Sequence, residues 1–333
     1  MKTYIIAEIG QAHDGSLGIL HSYIDALSKC GVNAIKFQTH IADAESSFYE
    51  PFRIKFSYAD KTRYDYWKRM ELSFEQWTNI KLHCEKVGVE FLSSPFSITA
   101  LKLLDRLNVK KIKIGSGEVM NFFMLDNICK LQKEIILSTG LSSLNEIDRA
   151  VDFIKCRNNP LSILQCTTKY PTKAEDVGLN LITKFKERYD VDTGLSDHSG
   201  SIFPSLAAVS IGAKILEFHA VFDKQMFGPD SSSSLTINEI TELIKGVRFI
   251  EKMLVNPINK LSSNDSSDCK NIFSKSLAVN KDLPKGHILS YNDLETKKPS
   301  NMGIAPEYYQ DVIGKKLNKK LNKWDFLSND DTI

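Results

Sequence analysis

Short runs of Val, Ile and Leu punctuate the chain up to about residue 255, and each gives way to polar residues at its C-terminal end. Eight such runs occur: YIIAEIG (4–10), AIKFQT (34–39), EFLSSP (90–95), KIKIGSGE (111–118), EIILSTG (134–140), LSILQCT (161–167), DTGLSDHS (192–199) and KILEFHAVF (214–222). Between them apolar positions recur with helical spacing, which predicts helices over 17–29, 74–86, 141–154 and 237–254. Gly31 and Gly88 stand where a helix stop favours a left-handed residue. Strand–helix alternation repeated eight times predicts an α/β fold, a closed parallel (β/α)8 or TIM barrel. Such barrels gather their chemistry at the C-terminal ends of the strands.

Two stretches interrupt the alternation. Residues 41–71 form a long excursion after the second run, rich in aromatics (Phe48, Tyr49, Phe52, Phe56, Tyr58, Tyr64, Tyr66, Trp67). It is expected either to cover a site or to pack as a small cluster of its own, and the two are compatible. The polar stretch LSSNDSSD (261–268) reads as a linker. The expected division is a barrel over 1–258, a linker over 259–271 and a small domain of short strands and turns over 272–333. Apart from the strand–helix alternation, no internal repeat stands out.

Composition narrows the picture. Of the 333 residues, 42% are hydrophobic and 25% charged, and the formal charge is +2, which offers nothing to a nucleic acid or an anionic membrane. No apolar run reaches the roughly 20 residues that cross a bilayer. Glu8 comes too early for the opening residues to form a signal-peptide core. Six cysteines without a C-x-x-C pair suit reduced thiols in the cytoplasm.

The candidate chemistry lies at the strand ends. His198 and His219 end adjacent strands, about 4.8 Å apart, so both imidazoles can reach one ion; the alternative is two separately hydrogen-bonded interior histidines. Lys36 and Lys113 lie inside apolar strands. They face either an anion in the barrel mouth, with Ser116 and Ser138 nearby, or partners such as Glu8 and Glu118. A strand lysine can also form a Schiff base, as aldolases do.

Taken in order, AEIGQAHDGSL, IKFQTH, FLSSPF, IKIGSGE, ILSTG, QCTTKYPT, GLSDHS and GPDSSSSL resemble the sialic acid synthase family. The tail, SLAVNKDLPKGHILSYNDLETKKPSNMGI with VIGKK, is similar to that family's antifreeze-like, or SAF, domain. The resemblance implies condensation of phosphoenolpyruvate with N-acetylmannosamine or a related acylamino-hexose, giving a nine-carbon 2-keto acid and phosphate. It implies a divalent metal, Mn2+ or Mg2+, on His198 and His219. Phosphoenolpyruvate would meet Lys36, Lys113, Gln38, Ser94, Ser116, Ser138 and Ser196, with Glu8 assisting attack at C2. Tyr170 and Asp230 would contact the sugar, with Glu118 and Thr168 further substrate-binding candidates. It also implies a homodimer in which the SAF domain crosses to the partner's barrel. The sequence departs from the family pattern at Ala12, Phe218 and Thr168, and at Lys298, which replaces a sugar-contacting arginine and loses its fork geometry. A diacetamido-trideoxyhexose leading to a legionaminate- or pseudaminate-type acid is therefore a close alternative. A Schiff-base aldolase and a non-catalytic carbohydrate-binding barrel are the readings from other classes.

Overall fold

The computed structural model describes residues 2–54, 58–260 and 267–333, and the chain divides into two units, Met1–Pro257 and Ile258–Ile333. The first is built on eight parallel strands: β1 (Tyr4–Glu8), β2 (Ala34–Thr39), β3 (Glu90–Pro95), β4 (Lys111–Ile114), β5 (Glu134–Ser138), β6 (Leu161–Cys166), β7 (Asp192–Asp197) and β8 (Ile215–Val221). They hydrogen-bond in the order β3-β2-β1-β8-β7-β6-β5-β4, so the sheet curls back on itself and leaves only β3 and β4 unpaired at its seam. The result is a nearly closed barrel. A two-residue strand, β9 (Leu235–Thr236), extends β8.

The helices are α1 (Leu17–Cys30), α2 (Ala42–Glu45), α3 (Arg63–Met70), α4 (Phe74–Lys86), α5 (Ile98–Arg106), α6 (Phe122–Lys130), α7 (Leu144–Lys155), α8 (Asn180–Tyr189), α9 (Phe203–Ser210) and α10 (Ile237–Leu254). Local sequence sets their ends. Ser73, Ser143 and Thr236 each cap a helix reciprocally with Gln76, Glu146 and Glu239. α7 accordingly begins after Ser143, not at residue 141 as its periodicity predicts. Gly31 closes α1 at φ 89°. The excursion over 41–71 holds α2 and α3. Tyr66, Trp67, Met70 and Ala42 pack there as a satellite cluster, Phe48, Tyr49 and Tyr58 are exposed, and Phe56 lies outside the described residues.

Alternation along each strand sorts the barrel interior into layers. Ile6, Ala34, Leu92, Ile136, Leu164 and Ile215 fill the lower layer. Two residues further along the same strands come Glu8, Lys36, Ser94, Ser138, Cys166 and Glu217. A dry plug therefore underlies a charged layer.

The second unit contains a short helix, α11 (Ser267–Phe273), that begins in the stretch expected as linker and runs two residues past it; residues 261–266 of that stretch lie outside the described residues. Its strands β10 (Ser276–Val279) and β11 (Leu294–Lys297) pair antiparallel. Here the structure corrects the expectation of no further repeat. Leu283, Leu289, Ser290 and Asp293 recur at one constant offset as Leu321, Leu327, Ser328 and Asp331. All four leucines are buried, Leu283 and Leu321 exchange both backbone hydrogen bonds, and each Ser–Asp pair forms the same reciprocal cap. Even the left-handed turns match: Gly286 at φ 89° and Trp324 at φ 76°. The unit is a duplicated motif wrapped about a pseudo-twofold axis.

Candidate active site

The charged layer opens into a cavity of about 420 Å³ lined by residues from all eight strand ends and from the 41–71 excursion. Lys36 and Lys113 are buried at its floor and converge on one carboxylate, Glu217, whose Oε1 is 3.6 Å from Lys36 Nζ and 3.1 Å from Lys113 Nζ. Ser196 Oγ donates to the same oxygen at 3.1 Å, while Glu217 Oε2 has no partner. The sequence reading passed over Glu217. The rule that singled out the lysines, a charge inside an apolar strand, applies equally to the ILEFHAV of β8.

Lys36 also meets Glu8 Oε1 at 2.5 Å, and Glu8 Oε2 lies 3.3 Å from His219 Nε2. Burial alone would raise the Glu8 carboxyl, but Lys36, His219 and Lys113 outweigh it and hold it well below the usual carboxylate range. Glu8 is therefore ionised. Burial pushes Lys36 down, yet Glu217 and Glu8 together carry it above its ordinary value, so the ammonium is charged as well. Gln38 Nε2 donates to Glu8 Oε1 at 2.9 Å.

His198 and His219 face each other across the opening with ring centroids 5.3 Å apart. The spacing of β7 from β8 depends on Gly194, where an added Cβ would fall 1.9 Å from the Ile215 carbonyl oxygen. His198 Nδ1 donates to the Thr167 carbonyl at 3.1 Å, and its Nε2 faces Tyr170 Oη at 3.3 Å. Cys166 Sγ is 3.9 Å from the same Nδ1. Burial alone would lower His198, but Cys166, Thr167 and Glu8 carry it up to about 9. Burial keeps His219 below its ordinary value despite Glu8. Two imidazoles with an ionised carboxylate beside them suit a divalent ion that accepts nitrogen and oxygen ligands. Among the described residues no group of three or more His, Cys, Asp or Glu converges on such a point. The pair would thus leave the remaining positions to substrate and water.

Most other expected residues meet here too. Ser94, Ser116, Glu118, Ser138, Thr168, Tyr170, Ser196 and Asp230 all line the cavity. Ser138 Oγ and Thr168 Oγ1 are buried without a partner. Ser116 Oγ accepts the Gly140 N–H, and a side chain at Gly140 would strike Thr168 and Ser116. Lys298 belongs to the second unit, where its Nζ lies 5.3 Å from the Phe273 ring. The sequence reading missed the loop residues. Arg53 reaches Asp230 Oδ1 at 2.5 Å and lies 4.1 Å above the Tyr170 ring, while His40, Glu45, Arg63 and Trp67 form one wall. The excursion both packs as a cluster and walls the cavity.

This arrangement matches known proteins along almost the whole chain. Residues 23–259 match the model of the NeuB family, and residues 274–331 that of the SAF domain. The chain is 36% identical to the N,N'-diacetyllegionaminic acid synthase of Campylobacter jejuni, over 96% of each protein. It is 33% identical to the human N-acetylneuraminate-9-phosphate synthase, over 94% of this chain and 88% of that one. Among solved structures, the N-acetylneuraminic acid synthetase of Leptospira borgpetersenii, crystallised with citrate, aligns with a TM-score of 0.71 at 28% identity, covering 81% of this chain and 91% of that one.

Proposed function

This chain belongs to the NeuB family, and from that premise we propose how its barrel works as a nonulosonic acid synthase, joining phosphoenolpyruvate to an acylamino-hexose in its open-chain aldehyde form. The observation that carries the reading is the convergence of Lys36 and Lys113, both buried, at the floor of a cavity whose opposite side holds two imidazoles. A trianionic substrate wants buried cations and unsatisfied hydroxyls, and Ser138 and Thr168 supply hydroxyls without partners.

The π electrons of the phosphoenolpyruvate double bond form the new bond from C3 to the aldehyde carbon, and the aldehyde oxygen takes up the displaced pair and then a proton. Water adds to the electron-poor C2 and gives one proton to Glu8, the ionised carboxylate beside Lys36, which passes it to the new alkoxide, while the second water proton leaves with the phosphate. Collapse of the adduct breaks the C2–O bond and releases phosphate, leaving the 2-keto acid. Lys36 and Lys113 hold the phosphate and carboxylate charges throughout, and Glu217 holds both ammoniums in place. His198 and His219 would hold the divalent ion, Mn2+ or Mg2+, which when bound polarises the aldehyde as a Lewis acid. Tyr170, Asp230 and Arg53 face the sugar.

N-acetylmannosamine is the first candidate sugar. A diacetamido-trideoxyhexose is the second, favoured by the likeness to a legionaminic acid synthase. We place the chain in a homodimer whose SAF unit serves the partner's barrel, and in the cytoplasm, where its six free cysteines remain reduced. Among the described residues no helix is long and apolar enough to cross a membrane. Light scattering at assay concentration tests the dimer, and a fully active monomer refutes it. The deciding experiment follows phosphate release from phosphoenolpyruvate across a panel of acylamino-hexoses. Release with one sugar identifies the substrate; no release with any, together with a borohydride-trapped pyruvate adduct on Lys36 or Lys113, would replace the synthase by an aldolase.

A further inference from the structure

One wall of the cavity is organised around a histidine that touches none of the groups expected to meet substrate except Gln38. His40 follows β2 directly. Its ring lies between Trp67, at 3.7 Å between centroids and 18° between planes, and Phe96, at 4.5 Å and 10°. Trp67 is fixed in turn: Arg63 lies 4.0 Å over its ring, and its Nε1 donates to the Glu50 carboxylate at 3.1 Å. The imidazole can therefore present only its edges. Nδ1 stands 2.7 Å from Glu45 Oε1, and Nε2 stands 3.0 Å from Gln38 Oε1.

The chemistry of Glu8 fixes the direction of these bonds. Glu8 Oε1 is paired with the Lys36 ammonium at 2.5 Å and so acts as an acceptor, and Gln38 turns its amide NH2 toward it at 2.9 Å. The Gln38 carbonyl oxygen then faces His40, and His40 Nε2 must carry the proton that it donates there. Gln11 Nε2 adds a second donor to the same oxygen at 3.3 Å, and Tyr66 Oη donates to Gln11 Oε1 at 3.0 Å. One polar chain thus runs from Glu45 through His40 and Gln38 to Glu8 Oε1, and leaves Glu8 Oε2 turned toward His219.

We propose that His40, anchored by Glu45, is a positioning residue for the condensation: it locks the Gln38 amide in the one orientation that keeps Glu8 aimed at the reacting centre. This rests on the reading of Glu8 given above. Without the His40 N–H, the Gln38 oxygen keeps only the longer contact from Gln11, so the amide, and with it Glu8, is held less firmly in line.

His40→Phe tests this, because phenylalanine keeps a flat ring in the stack and removes both ring nitrogens. The expected result is a fall in kcat of roughly 10- to 100-fold, with KM for phosphoenolpyruvate within about threefold of wild type. In a Gln38→Met background the same change should alter kcat by less than about twofold, because the group being oriented is gone. Wild-type kcat in a folded His40→Phe enzyme, or an equal loss in both backgrounds, overturns the proposal. Nitrogen NMR of the wild-type protein reads the same claim without any substitution or turnover. A protonated Nε2 on His40 supports it, and an unprotonated Nε2 at neutral pH defeats it. Should no sugar give phosphate release, the synthase reading fails by that assay, while the NMR result still decides the orientation of Gln38.

Discussion

Both units bury charge, and they use it in opposite ways. In the barrel, Lys36, Lys113, Glu8 and Glu217 crowd into one layer, and several atoms there are left without partners, among them Glu217 Oε2, Ser138 Oγ and Thr168 Oγ1. In the second unit each buried carboxylate is tied to a turn. Asp293 accepts from the N–H and hydroxyl of Ser290, pairs with Lys281 at 2.7 Å, and meets His287 at 2.9 Å. Asp331 does the same with the Ser328 N–H and Lys319. The difference is one of completeness. A layer with open valences is poised for a ligand that finishes it, whereas a satisfied carboxylate only holds the backbone.

The largest expected effect strikes the open layer. Glu8→Gln keeps the shape and removes the base, and steady-state kinetics should show kcat lower by about 10²- to 10⁴-fold. The thermal midpoint of the variant should move far less than its rate. Lys113→Met comes next. Losing one charge-assisted contact costs about 1.5–3 kcal/mol of binding, so the apparent constant for phosphoenolpyruvate should rise roughly 10- to 100-fold. If the sugar's constant moved instead, Lys113 would not hold phosphoenolpyruvate.

Asp293→Asn carries the comparison to the second unit, where the loss should be one of stability, about 1–3 kcal/mol. Hydrogen exchange should quicken across residues 276–331 and stay unchanged in the barrel strands. Acid should act the same way on the wild type. Although burial alone would raise Asp293, its bonds to His287, Lys281 and Ser290 hold it well below the usual carboxylate range. A depressed folded value contributes stability that is present above the unfolded value of about 3.9 and is lost as pH falls through the folded one. The second unit should therefore stay ordered through pH 4 and loosen only below it, and Asp293→Asn should flatten that profile. The smallest effect is expected at Gly286, whose φ of 89° any side chain strains; Gly286→Ala should cost about 1 kcal/mol in a thermal melt.

The strands were legible because each is an apolar run with a polar end, and the expected strands lie where the structure has them. The floor of the cavity was legible for the same reason, since a lysine between isoleucines has few places to go. Glu217 obeys the same logic, a charge set between the apolar residues of β8 two positions before His219. His40 was a different case. It sits in the quoted IKFQTH, but its role depends on Trp67 and Phe96, which the chain brings together from two other segments. Arg53 likewise reaches Tyr170 and Asp230 only through tertiary structure. The duplication in the second unit was hidden because its halves share little beyond Leu, Lys, Ser and Asp at matched places, and set a tryptophan where the mate has glycine.

That duplication bears on how the small unit is made. Beside the β10–β11 ladder, much of its pairing runs between the halves: Leu283 bonds with Leu321, Val279 with Asp325 and Trp324, and Gly286 with Leu317. Residues near Ile333 bond back to Lys316 and seal the second half. On a ribosome the first half can therefore form its β10–β11 pair, but the backbone groups of Leu283 and Gly286 wait unpaired until the mate has been synthesised. The barrel leaves the ribosome first and, built mainly from neighbouring strands, can assemble stepwise, while the small unit closes only when its second half is complete.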